Sequence, residues 1–173
     1  MEGDPLMYEH LTPGSGATHA AKNIRAHLKK LYPGGKFSVK TDHFANGNSV
    51  SVRWTDGPVQ KAVDEALSGF VAGRFDGMQD IYDYKESAFG REFGTCKYLH
   101  TMRNCSDALV QKAIDAAVEK YGTWRGEQER RPPSLAEYRA GILTDCSPIS
   151  NWQGCWWDSW QGIIDTALVE MAG

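Results

Sequence analysis

The residues best suited to chemistry in this chain are four aspartates, Asp56, Asp76, Asp80 and Asp83. If the segment from 76 to 83 were helical, Asp76, Asp80 and Asp83 would share one face at i, i+4 and i+7. Such an oxygen cluster could hold a hard divalent cation or supply a general base. A small metal-dependent enzyme acting on nucleic acid is the activity that this reading implies. Against it, Asp56 and Asp76 both precede glycines. At such turns an aspartate side chain bonds its own neighbouring backbone N–H groups, so turn formation is the simpler role. Cys96 and His100 stand four apart, which would suit a nucleophile and its base on a helix. The surrounding β-forming residues favour a strand instead, and no nucleophile motif surrounds either residue.

Other chemistry finds less support. The cysteines are Cys96, Cys105, Cys146 and Cys155, with no C-x-x-C pair, so free buried thiols are expected. His10, His19, His27, His43 and His100 show neither HExxH nor H-x-H spacing, and no zinc site is assigned. There is no G-x-x-x-x-G-K-S/T and no G-x-G-x-x-G, so no cofactor is expected. Two features suit binding better than catalysis. Lys22, Arg25 and Lys29 form a basic face on a helix. Trp152, Trp156, Trp157 and Trp160 fall within nine positions, and tryptophan is enriched both in interface hot spots and in stacking platforms for bases. Trp156 and Trp160 share a helical stripe and read as core. Trp152 and Trp157 fall off that stripe and are the better partner-binding residues.

The elements that must position these groups follow from periodicity and punctuation. Residues 1–16 carry Pro13, Gly14, Ser15 and Gly16 and read as a loose lead-in. Thr18 is a candidate cap for a helix to residue 32, with Ile24, Leu28 and Leu31 on its apolar face. Phe37 and Val39 alternate with polar residues, as do Val50, Val52 and Trp54, giving a β-hairpin. Asn46, Gly47 and Asn48 would supply its positive-φ positions. Asp56-Gly57-Pro58 is a helix entry in which Asp56 is a cap or turn former. Val59, Val63, Leu67 and Phe70 make the next amphipathic helix, which Gly69 and Gly73 bracket. Residues 81–84 could be a strand or a helical turn, 85–94 read as a loop, and 96–105 as a third strand. Ser106 and Asp107 cap a helix ending at Gly122. A charged stretch with Pro132-Pro133 then separates a tryptophan-rich part, in which Ser134 caps a short helix and a last helix runs over about 156–171.

The expected fold is α+β. A small antiparallel sheet, the hairpin plus a third strand, packs against helices, and the C-terminal part is mostly helical. The expected division is a lead-in at 1–16, a core domain at 17–122, a linker at 123–133 and a helical extension at 134–173. The 173 residues suffice for one domain with a core. With 41% hydrophobic and 24% charged residues the chain is globular, and no apolar run reaches membrane-spanning length. The first residues lack the basic-then-apolar order of a signal peptide, so a cytoplasmic protein with no membrane partner is the default. A net charge of −3 gives no bulk reason for a nucleic-acid partner, although local basic faces remain open.

The central stretch resembles a known family. IRAHLKKLYPGGKFSVKTDHFANGNSVSVRWTDGP, followed by GRFDGMQDIYDY, is similar to the large polyvalent protein-associated domain 29, found on phages and conjugative elements. The landmarks are Ile24-Arg25, Pro33, Phe37-Ser38-Val39, Trp54-Thr55-Asp56-Gly57-Pro58 and Phe75-Asp76-Gly77, and the likeness covers about 17–105. The resemblance implies an α+β domain and no catalytic residue. By genomic company it implies an accessory protein that blunts host defence, of the anti-CRISPR or antirestriction type. Its partner would be a host defence protein or ribonucleoprotein complex, with direct DNA binding as a further reading.

Overall fold

A computed structural model describes the backbone of residues 8–76, 78, 81–84, 87–123, 131–149 and 152–173, and their side chains except at 74–76 and 81. The chain divides into two compact units, Met1–Asn104 and Cys105–Gly173. The boundary falls before the helix that the sequence places in the core domain, not at 123–133. Of that expected linker, 124–130 lie outside the described residues.

The first unit contains helix α1 (Gly16–Leu31), strands β1 (Ser38–Phe44) and β2 (Gly47–Thr55), and helix α2 (Gln60–Leu67) with a 3-10 turn to Phe70. Strands β3 (Gly73–Asp76) and β4 (Ile81–Tyr84), helix α3 (Ala88–Phe93) and strand β5 (Tyr98–Asn104) follow. The architecture is α+β, as expected. The direction of the third strand is a correction: β1 pairs antiparallel with β2, but β5 pairs parallel with it, so the sheet β1-β2-β5 is mixed. The long crossover through α2 and α3 returns the chain to the same end of the sheet, which parallel pairing requires.

Several local expectations also change. α1 starts at Gly16, after Ser15 in an extended conformation, and Thr18 lies inside the helix. None of Asn46, Gly47 and Asn48 has positive φ. The left-handed positions fall instead at Asp56 (φ 56°) and Gly57 (φ 57°), after β2. The N-cap of α2 is Val59, so Asp56 forms the turn and does not cap the helix. The 85–94 stretch contains α3, capped by Ser87, whose hydroxyl accepts from the Gly90 N–H at 2.9 Å.

The core of this unit gathers Ile24 and Leu28 from α1, Val50, Val52 and Trp54 from β2, and Val63 and Leu67 from α2. Each such side chain contributes about 1.5–3 kcal/mol by leaving water. Leu31, expected inside, is 42% exposed. The buried face of α1 holds Asn23 and His27 instead. The described part of the lead-in is not loose: Leu11 is buried and Tyr8 packs edge-on against Phe89, with centroids 5.1 Å apart.

His27 stacks on His10, with centroids 5.1 Å apart and Nδ1 2.8 Å from Nε2 of His10. Burial, reinforced by His10, depresses His27 to about 4, although the Ala66 carbonyl opposes the shift. Burial, then Lys30, lowers His10 as well. An imidazole neutral in the fold and basic when unfolded takes up its proton on unfolding. Stability is therefore complete above the ordinary histidine value and is lost as pH falls towards 4. From pH 7 to 5 the loss from His27 should be about 1–2 kcal/mol. Urea titrations at the two pH values measure it, and His27→Gln should shrink the difference.

The second unit contains α4 (Asp107–Tyr121), α5 (Leu135–Ala140) and α6 (Trp160–Glu170), with 3-10 turns at Ile142–Asp145 and Trp156–Asp158. Ser106 caps α4, its hydroxyl accepting from the Leu109 N–H. Ser134 and Glu137 form a capping box on α5. The apolar stripe of α4 (Leu109, Val110, Ala113, Ile114 and Ala117) meets Leu143, Trp160, Ile164 and Leu168. That packing explains why α4 belongs to this unit. Tyr138 donates to Asp165 at 2.5 Å, tying α5 to α6.

Candidate functional site

Two surfaces stand out, one on each unit. In the second unit the tryptophans separate by role. Trp160 is fully buried. Trp156, expected beside it in the core, is a correction: it lies in the 3-10 turn before α6 and is 50% exposed. The reason is Ser159, which caps α6 and ends the stripe; its hydroxyl donates to the Trp156 carbonyl at 2.5 Å and accepts from the Gly162 N–H at 3.2 Å. Trp157 is 65% exposed. Trp152 is half-buried, and its indole N–H donates to the Cys155 carbonyl at 2.8 Å. Gly162 lets the turn sit on the helix, because a Cβ there would lie 2.3 Å from the Trp156 carbonyl oxygen. Beside Trp157, a groove of about 280 Å³ runs past Tyr121, Lys120, Ile149, Ile163 and Ala167.

In the first unit the open face of the sheet carries the second surface. The registers set Phe44 of β1, Ser49, Ser51 and Arg53 of β2, and Tyr98 and His100 of β5 opposite the core-facing residues. The central strand offers only small side chains until Arg53. The flanking rings form a near-parallel series: Phe44 to Tyr98 at 6.2 Å and 24°, Tyr98 to His100 at 6.4 Å and 12°. Gly47 permits the close approach, since a Cβ there would meet Lys97 Cδ at 2.9 Å and the Phe44 ring at 3.1 Å. The Lys97 ammonium lies 5.2, 6.0 and 5.5 Å from the rings of Tyr82, Tyr84 and Tyr98 and donates to the Asn46 carbonyl at 3.0 Å. Burial, with the neighbouring tyrosines and Cys96, raises the Tyr82 hydroxyl to about 12, so it stays protonated. Next to this cluster opens a cavity of about 690 Å³, lined in part by Ser15, Ser87, Thr95, Arg91 and Lys97. None of its described lining residues is acidic.

The structure places the other sequence-derived candidates as follows. Lys22, Arg25 and Lys29 are exposed on α1, but the Arg25 guanidinium donates to the Val39 carbonyl at 2.6 Å and so also anchors β1. The aspartates do not share a helix: Asp76 ends β3 and Asp83 lies in β4, where its side chain is exposed. Asp80 and the side chain of Asp76 lie outside the described residues. Among the described residues no group of three His, Cys, Asp or Glu could hold a metal ion.

Asp56 sits in a turn clamped by Arg103, which donates to the Asp56 carbonyl at 2.9 Å and the Gly57 carbonyl at 3.4 Å. The Trp54 indole donates to the Pro58 carbonyl at 3.0 Å. The WTDGP landmark is thus a folding device. Cys96 is buried, its thiol donating to the Phe70 carbonyl at 3.5 Å, and burial pushes it up to about 11, which leaves it a poor nucleophile. His100 lies exposed, stacked on Tyr98. All four cysteines remain thiols, and Cys105, Cys146 and Cys155 are only half-buried. No described helix is long and apolar enough to cross a membrane.

The aromatic face escapes sequence reading because its members come from separate segments. The strand registers bring Phe44 and Tyr98 together, and Tyr82 packs on Tyr98 from β4, which belongs to the separate β3-β4 pair. A family model described as large polyvalent protein associated domain 29 matches residues 15–106, more than half of the chain. No curated protein and no solved structure matches.

Proposed function

The chain belongs to the large polyvalent protein-associated domain 29 family, whose members are associated with phages and other mobile elements, and from that premise we propose that it is a non-catalytic inhibitor of a host defence system. The system is of the anti-CRISPR or antirestriction type, and inhibition works by occupying a surface of a defence protein or ribonucleoprotein complex in the host cytoplasm. The observation that carries this reading is the exposure of the neighbouring Trp156 and Trp157, the latter lining the groove of the second unit. Large aromatic rings left in water are disfavoured unless a partner covers them, and tryptophan dominates interface hot spots. Trp152 supports this surface through its bond to the Cys155 carbonyl. Lys22 and Lys29, with Arg25 between them, are the second contact face proposed, on α1.

The test uses cells carrying a defined CRISPR or restriction system challenged with a targeted plasmid. Expression of the chain should raise transformation tenfold or more. Trp156→Ala with Trp157→Ala should abolish that gain while circular dichroism stays unchanged. Full protection by the double variant would remove the tryptophan surface from the account. No protection against any system tried would remove the inhibitor reading itself.

A further inference from the structure

We propose that the open face of the three-stranded sheet binds single-stranded nucleic acid. This surface is on the first unit and does not depend on the tryptophan surface.

Three observations carry the inference. The first is the ring series of Phe44, Tyr98 and His100, lying within 24° of parallel between neighbours and turned away from the core. Phe44 is 48% exposed, although an aromatic ring has an apolar core available to it in a unit of this size. Unpaired bases stack on such rings whatever their sequence, at about 1–3 kcal/mol per base. The second is the make-up of the face: the central strand contributes only the small side chains of Ser49 and Ser51 before Arg53. A chain of bases lying across the sheet would meet rings, not branched aliphatic groups.

The third observation is charge. The chain as a whole carries −3. Yet among its strand residues this face presents Lys40 and Arg53 against one carboxylate, that of Asp42, and the adjoining cavity adds Lys97. Asp83, an exposed carboxylate of the neighbouring β4, alternates to the side of that strand away from Tyr82 and Tyr84. A polyanion with exposed base faces matches both the rings and this local excess of cations. A duplex does not, because its bases are already stacked on one another.

Binding is measured by fluorescence anisotropy with a labelled oligothymidylate of about 12 nucleotides, a length within the usual range for a single domain. Saturable binding is expected at about 50 mM salt and should weaken strongly by about 200 mM. Phe44→Ala and Tyr98→Ala should each reduce affinity about tenfold with an unchanged circular dichroism spectrum. Lys40→Gln with Arg53→Gln should flatten the salt dependence by roughly 1.4 in slope, the share of two phosphate contacts on a single strand. A duplex of the same length should bind more weakly. Absence of binding at low salt, equal or tighter binding of the duplex, or unchanged affinity in folded Phe44 and Tyr98 variants would each overturn the proposal.

Discussion

Replacing Trp160 with alanine should lower the stability of the second unit by about 3–5 kcal/mol, the range for emptying a large aromatic site in a core. Trp160 is fully buried and packs in the cluster that α4, α6 and the Ile142–Asp145 turn share. Its backbone is also held, with the N–H donating to the Cys146 carbonyl at 2.8 Å. Trp160 is therefore both a packing centre and the hydrogen-bonded start of α6. Ser147 reinforces it by donating to the Asp158 carbonyl and accepting from the Ile149 N–H at 3.0 Å. Urea unfolding followed by far-ultraviolet circular dichroism measures the loss. Trp157→Ala, at a 65% exposed position, is the internal comparison and should cost less than about 0.5 kcal/mol. Similar losses in the two variants would contradict the assignment of Trp160 to the core and Trp157 to the surface.

Replacing Asn23 with aspartate is expected to be nearly as damaging, at about 3 kcal/mol or more at neutral pH. Asn23 is 1% exposed, and its amide meets four partners. Oδ1 accepts from the Thr12 backbone N–H at 3.0 Å and the Thr12 hydroxyl at 3.2 Å. Nδ2 donates to the Thr12 carbonyl at 2.9 Å and the Phe93 carbonyl at 2.8 Å. The side chain thereby joins α1 to the segment before it and to the end of α3. A carboxylate has no N–H to give, so two carbonyl oxygens would face a buried negative charge. The site would hold that carboxyl protonated above its ordinary range, so the penalty should grow as pH rises. Urea midpoints at pH 5 and pH 7 test this, with the larger loss expected at pH 7. A loss below about 1 kcal/mol at both would show that the Thr12 and Phe93 contacts contribute little.

These two residues also show what the sequence discloses and what it withholds. The hairpin, α2, α4 and the capped start of α5 were legible, because alternation, helical spacing and serine caps are local signals. Trp160 was legible as core from its spacing with Ile164 and Leu168. Trp156 was not separable from it, because the same spacing continues through a serine that ends the helix. Asn23 and His27 lie on the buried face of α1, where hydrophobicity alone points to Leu31. Their burial depends on partners far along the chain, namely Thr12, Phe93 and His10.

The parallel direction of β5 was illegible for a different reason: alternation marks a strand but carries no information on its direction. α3 left a trace in Ser87 and in Phe89 and Phe93 at i, i+4, which Gly90 and Gly94 obscured. Of the site, the exposed position of Trp157 could be read from its place off the stripe. The aromatic face of the sheet could not, because three strands contribute to it and only their pairing sets Phe44 beside Tyr98.

The central claim is that the chain acts by occupying a surface and not by turnover. The most direct measurement titrates the purified chain into the purified nuclease of the defence system used in the plasmid challenge, and follows cleavage of target DNA. Inhibition should be complete once the chain matches the complex in amount, should not deepen with longer preincubation, and should be lost in the Trp156→Ala, Trp157→Ala variant. Progressive inactivation by amounts far below the complex, or full cleavage in the presence of excess chain, would contradict it.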